Sequence, residues 1–218
     1  MKKFSRFAAL LLALLLAMSL AACGKKTDGG DPDPAPTKEF SAGKVDGSTY
    51  TNEYFGFSVT LSEDSGWTYF TDEQIAQVTG QTAELFDSDH ITEAYDSGKV
   101  IMEMYAMRDD YATVNVTVEK LSNVNVVLLD EEGYVDASLT TLPDQLTTAG
   151  YTDLAAAKTT VSFAGAEHYA IAVSAVVQDV PVYELMACVK IDDYVAVITA
   201  CTYGEDTTAD ILAAFQAL

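Results

Sequence analysis

Hydrophobic and polar positions change rhythm several times along this chain, and each rhythm predicts a different kind of structure. Phe7 to Ala22 is an apolar run with one serine and no charge. It is shorter than the roughly 20 apolar residues a membrane-spanning helix needs. Gly24 to Ser48 has almost no apolar residues and holds the run Asp31-Pro32-Asp33-Pro34-Ala35-Pro36. Such a segment has too little surface to bury for independent folding. From Ser48 onward, short apolar and aromatic runs alternate with turn residues, which is the pattern of a folded domain.

Within that domain, Ser48 to Thr51 and Tyr54 to Leu61 read as an opening pair of strands rich in aromatic and β-branched residues. Gly66-Trp67-Thr68-Tyr69-Phe70 leads into Thr71-Asp72-Glu73-Gln74, a capping-box pattern that predicts a helix start, with Gly80 as its stop. A second helical stretch runs from Glu84 to Ser97 and ends at Gly98. Val100 to Met107 and Tyr111 to Glu119 predict a hairpin joined through Arg108-Asp109-Asp110. Val135, Leu139, Leu142, Leu146 and Ala149 recur at helical spacing, so one helix is expected up to Gly150, kinked or broken at Pro143.

Four strand-like runs follow, at Lys158 to Phe163, Glu167 to Val177, Val182 to Ile191 and Tyr194 to Tyr203. Connections this short require antiparallel pairing, because a parallel crossover takes a dozen or more residues. Several of these strands are apolar on both faces, so the sheet should be covered on both sides. A closing helix is expected from Asp206-Thr207, with Ile211, Leu212, Phe215 and Leu218 on its apolar side. The expected fold class is therefore α+β: a mostly antiparallel sheet of about six to seven strands with helices on both faces.

The opening Tyr54-Phe55-Gly56-Phe57, the Gly66-Trp67 step, the capped helix at Thr71, the Ala164-Gly165-Ala166-Glu167 turn and the closing Phe215 resemble the PsbP/Mog-like sandwich and its small bacterial lipoprotein relatives. The resemblance spans roughly Tyr50 to Leu218. It implies a non-catalytic binding or assembly protein and transfers no functional residue to this chain.

Charge and the N-terminal pattern bear on location. Lys2, Lys3 and Arg6 precede the apolar run, which ends Leu20-Ala21-Ala22-Cys23-Gly24. That combination reads as a signal peptide closed by a bacterial lipobox, with Cys23 as the residue that receives a diacylglyceryl group. The expected organisation is a signal peptide over 1–22, a lipidated cysteine and Pro/Gly/Asp tether over 23–48, and one globular domain over 49–218. The location implied is a lipid-anchored, extracytoplasmic position at a cell membrane, such as a Gram-positive surface. A coil the length of the tether would span roughly 25 to 30 Å.

Of the 12 basic residues, Lys2, Lys3 and Arg6 fall before the cut, which leaves nine against 33 acidic ones. A field of that sign repels nucleic acid and anionic headgroups, leaving basic proteins, cationic ligands and loosely held divalent ions open, with a protein or envelope component as the expected partner.

Candidate chemistry is sparse. His90 and His168 are the only histidines, and neither lies in a catalytic, nucleotide-binding or zinc motif. Asp87-Ser88-Asp89-His90 gathers possible metal ligands, but Thr92 and Gly98 stand where a calcium loop needs Gly and Glu, so a solvated acidic helix start is the better reading. Asp109-Asp110, Asp130-Glu131-Glu132 and Asp192-Asp193 read as turn residues. No enzyme, metal or cofactor is expected.

If Asp192-Asp193 is a two-residue turn, Cys188 faces Val197 and Cys201 faces Glu184, too far out of step to bond, which predicts two buried free thiols. Asn115-Val116-Thr117 matches a glycosylation sequon in form only. The tyrosines are expected mainly in the core and at strand edges.

Overall fold

A computed structural model describes residues 38–81, 88–122, 125–126 and 129–218. The described chain is α+β and builds two antiparallel sheets. A small sheet has the order β1-β2-β3-β11, from β1 (Lys44–Asp46), β2 (Thr49–Asn52), β3 (Phe57–Thr60) and β11 (Gln216–Ala217). A seven-stranded sheet has the order β4-β5-β6-β10-β9-β8-β7. Its strands are β4 (Trp67–Tyr69), β5 (Ile101–Arg108), β6 (Thr113–Lys120), β7 (Thr152–Phe163), β8 (Ala166–Val177), β9 (Val180–Ile191) and β10 (Tyr194–Tyr203).

The helices are α1 (Asp72–Thr79), α2 (Ser88–Asp96), α3 (Glu131–Leu139), α4 (Leu142–Thr148) and α5 (Thr208–Leu212). The expected helix from Glu84 begins, as far as it is described, at Ser88; residues 84–87 lie outside the described residues.

Local sequence explains most of these elements. Thr71 Oγ1 accepts from the Gln74 amide while Gln74 Oε1 accepts from the Thr71 amide, so the capping box closes at the start of α1. Gly80 ends that helix in the left-handed region. Two-residue turns join β7 to β8 at Ala164-Gly165 and β8 to β9 at Gln178-Asp179, each with both residues at positive φ. That geometry matches the right-handed twist of paired strands.

The two faces of the large sheet carry different layers. Val114, Val116 and Val118 of β6 point into an aromatic core with Tyr50, Phe57 and Val59 of the small sheet, Tyr95 of α2 and Leu212 of α5. On the opposite face, Cys188, Val195 and Val197 pack with Tyr134 and Val135 of α3 and Leu142 and Leu146 of α4. α1 covers the edge of that same face, where Ile75 meets Met102 and Tyr105. Burying one such large side chain contributes about 1.5 to 3 kcal/mol.

Five expectations need correction. The single sheet is two, and the small sheet occupies much of a face on which helices alone were expected. The folded part starts ahead of residue 49: Lys44–Asp46 is a strand paired with β2, and the Phe40 ring stacks on Tyr194 with centroids 3.9 Å apart. The helix over 135–149 is two helices, with Thr140 and Thr141 between them and Pro143 in the first turn of α4, where a missing N–H is harmless. The closing helix stops at Leu212. Phe215 lies beyond it, packed on Phe57 and Phe163, and the chain ends as a strand against β3 with Leu218 64 % exposed. β7 also begins at Thr152, well ahead of Lys158.

Candidate functional site

The residues singled out by sequence are scattered. Cys23 and Asp87 lie outside the described residues. His90 is exposed on α2. His168 sits on β8 with Nδ1 3.0 Å from Glu131 Oε2, and the other oxygen of Glu131 accepts from the Tyr169 amide at 2.6 Å. Glu131 therefore fastens the first turn of α3 to β8. Asp110 makes a two-pronged pair with Arg108, which holds its carboxyl below the usual range. Asp130 caps α3, Glu132 pairs with Lys158, and Asp192 occupies the turn before β10 at positive φ.

Cys188 and Cys201 are free and buried, and the register is the one expected, with Cys188 opposite Val197 and Cys201 opposite Glu184. Asn115 is buried on β6. Among the described residues, no group of three or more His, Cys, Asp and Glu is placed to hold a metal ion.

The groups that sequence reading missed are three buried glutamates, each gripped by tyrosine. Glu103 is the extra residue of a bulge in β5, between the pairs Met102↔Thr117 and Met104↔Val116. A bulge re-aims a side chain. Here Glu103 Oε1 accepts from Tyr95 of α2 at 2.6 Å, and Oε2 accepts from Tyr50, Asn52 and the Gly43 amide at 2.8 to 2.9 Å. Burial pushes the Glu103 carboxyl up, against four donors that favour its charged form. Gly43 has no substitute in this arrangement, because a Cβ there would fall 2.1 Å from the Tyr50 hydroxyl oxygen.

The second is Glu119, which accepts from Tyr134 of α3. The third is Glu184, which accepts from Tyr151 at 2.7 Å. Burial raises both carboxyls to about 7. The other oxygen of Glu184 has no hydrogen-bond partner, and neither does Asn115 Nδ2, both buried, while the buried Tyr105 and Thr113 hydroxyls interact with each other and Thr113 with Cys201. Cross-strand pairing aligns Thr113 with Cys201 and Cys201 with Glu184, while Tyr105 pairs with Asn115. Paired residues share a face, so these groups form a buried polar strip on one side of the sheet, with unmet hydrogen-bonding capacity at Glu184 and Asn115.

Two surface hollows lie at the edge of the molecule. One, of about 760 Å³, runs between Phe40 to Val45 on one side and Tyr69 to Ile75 on the other, with Glu103 at its floor. The second, of about 520 Å³, lies between Gly47-Ser48 and Leu61 to Tyr69. Tyr69 lines both, half-buried, its hydroxyl donating to Val59 O at 3.2 Å and pushed up to about 12 by burial. The oxygens of Glu103 are already engaged by protein donors, so the floor offers structure where a catalytic acid would need a free oxygen.

No family model matches the chain, and no curated protein matches its sequence.

Proposed function

We propose that this chain is a lipid-anchored, non-catalytic binding or assembly module on the extracytoplasmic face of a bacterial membrane, with a PsbP/Mog-like sandwich as its folded part. One observation carries the reading: a basic start and an apolar run that end in Leu20-Ala21-Ala22-Cys23. A diacylglyceryl group on Cys23 supplies the two acyl chains that stable anchoring requires. The α+β architecture with a seven-stranded antiparallel sheet is compatible with the sandwich. The partner is a protein or an envelope component; nucleic acid is disfavoured by the net charge of −21.

The test has two arms in cells that express the chain. Mass spectrometry of the mature N-terminus is expected to show a diacylglyceryl cysteine, and an unmodified terminus or a cut elsewhere overturns the anchor. Crosslinking followed by affinity capture is expected to recover one specific partner repeatedly, and repeated failure overturns the binding role. A second reading, solute capture or an envelope enzyme, is favoured by the buried polar strip of Tyr105, Thr113, Asn115 and Glu184, in which Glu184 Oε2 and Asn115 Nδ2 have no partner. Those atoms are shut off from solvent, so an opening movement would have to precede any use of them.

A further inference from the structure

The helical face of the large sheet is polar where a sheet is usually most apolar. β6 and β10 are inner strands, and on one side they bury Val114, Val116, Ala196, Ile198 and Ala200 in the aromatic core. On the other side the same strands present Thr113, Asn115, Thr199 and Cys201, all buried, and β9 adds Glu184 in line with Cys201. The apolar residues of that face form two separate clusters, one under α3 and α4 and one at α1, and β6 runs between them. Polar groups are costly to bury unless they are paired, so such a patch on inner strands requires a partner for each of its members.

Most members partner one another. Tyr105 interacts with Thr113, and Tyr151 and Tyr203 lie within electrostatic reach of Glu184 and Cys201. Thr113, Thr199 and Cys201, all short, lie on the strands between Tyr105 of β5 and Glu184 of β9, which keeps the floor of the cluster low. Two members have capacity that no protein group meets. Glu184 Oε2 and Asn115 Nδ2 lack a hydrogen-bond partner although each residue is only 2 % exposed. Glu184 accepts from Tyr151, whereas Glu103 has four donors. Among the described residues, no lysine, arginine or histidine pairs with Glu184. Water can meet a hydrogen bond there, but only a cation offsets the charge of a buried carboxylate.

We infer that this cluster is an internal site for a small primary amine bearing a hydroxyl or carbonyl oxygen, its ammonium donating to Glu184 Oε2 and its oxygen accepting from Asn115 Nδ2. The inference rests on the reading of the chain as a binding module and adds an internal site to it. The two unmet atoms are of opposite kind, an acceptor and a donor, and call for a ligand with one of each. The hydroxyls of Thr113, Thr199 and Tyr105 offer acceptors for the remaining ammonium hydrogens. A net charge of −21 raises the local concentration of cations around the chain. Tyr203 is the half-buried member of an otherwise buried cluster, which puts the way in at its ring.

The probe is ethanolamine, titrated into the purified chain at pH 8, above the value of about 7 at which Glu184 ionises. Binding is followed by isothermal calorimetry and by the carboxyl signals of carbon-labelled glutamate. Saturable binding is expected, with a shift of the carboxyl signal that Glu184→Gln removes. Affinity should fall about tenfold in Glu184→Gln, and by as much for ethylene glycol, which lacks the ammonium. The preference for ethanolamine over ethylamine should vanish in Asn115→Ala. Equal binding of tetramethylammonium, which has no N–H to donate, marks surface counterions and overturns the site. Unchanged affinity in Glu184→Gln overturns it too. If either variant loses its fold by circular dichroism, the comparison of ethanolamine, ethylene glycol and tetramethylammonium on the parent chain decides. No saturable binding of any amine means that the cluster holds internal water only, and overturns this inference alone, since capture of a partner by the anchored chain is read out separately.

Discussion

Glu184 shows what a single buried carboxyl does to this molecule. It is 2 % exposed, bonded through one oxygen to Tyr151 and through the other to nothing. Its acid form is favoured, so the folded state holds a proton that the unfolded chain releases near pH 4.5. A raised folded value means that the contribution to stability is fully present below pH 4.5. It declines as pH rises through about 7, and Glu119 adds in the same direction. At about 1.4 kcal/mol per pH unit, each group weakens the fold by about 3 kcal/mol between those limits. The variant Glu184→Gln is accordingly expected to be more stable than the parent at pH 8 and close to it at pH 4.5, measured by urea unfolding at both values. An equal change at the two pH values would contradict this. The glutamate was not legible as special in the sequence, because Tyr183-Glu184-Leu185 reads like any polar position in a strand. Its partner Tyr151 is 33 positions away.

At the scale of elements, whatever depended on near neighbours was legible. The capping box at Thr71 and Gln74, the stop at Gly80 and the two-residue turn that sets Cys188 against Val197 are all local patterns, and the structure has each of them. Replacing Thr71 by Ala is expected to lower stability by about 1 kcal/mol. Calorimetry should show this as a fall in Tm of about 3 °C. Elements made by distant pairing were not legible. β1 has three residues, Lys44-Val45-Asp46, too few for a period to declare itself, and it is a strand because β2 lies beside it. β11 exists because Gln216 and Ala217 meet Ser58 and Phe57. Phe215 has the spacing of a helix face, yet its contacts with Phe57 and Phe163 pull it out of the helical path. The two hollows share this origin, since their walls come from residues 40–48 and 61–75, which belong to different sheets.

Over the whole molecule, the three glutamates tie covering elements to sheet strands. Tyr95 ties α2 to β5, Tyr134 ties α3 to β6, and Tyr151, just after α4, ties that layer to β9. Separating any of these covers from the sheet breaks a buried hydroxyl-to-carboxyl hydrogen bond, which costs more than loss of apolar contact alone, although Glu103 keeps Tyr50, Asn52 and the Gly43 amide on its other oxygen. Among the described residues α1 has no tyrosine-to-glutamate tie of this kind: Gln81, just after it, donates to Val100 O at 2.9 Å, and its apolar contact with Met102 and Tyr105 is made through Ile75. Native-state hydrogen exchange is therefore expected to separate them: amides of α3 and α4 open only with the sheet, while those of α1 exchange at lower free energy. Uniform protection across the helices would disprove this division. The consequence reaches the hollow of about 760 Å³, because the first turn of α1 is part of its wall. The molecule keeps its interior under lock while one jamb of that hollow hangs on a light hinge, so its mouth can widen without disturbing the rest of the house.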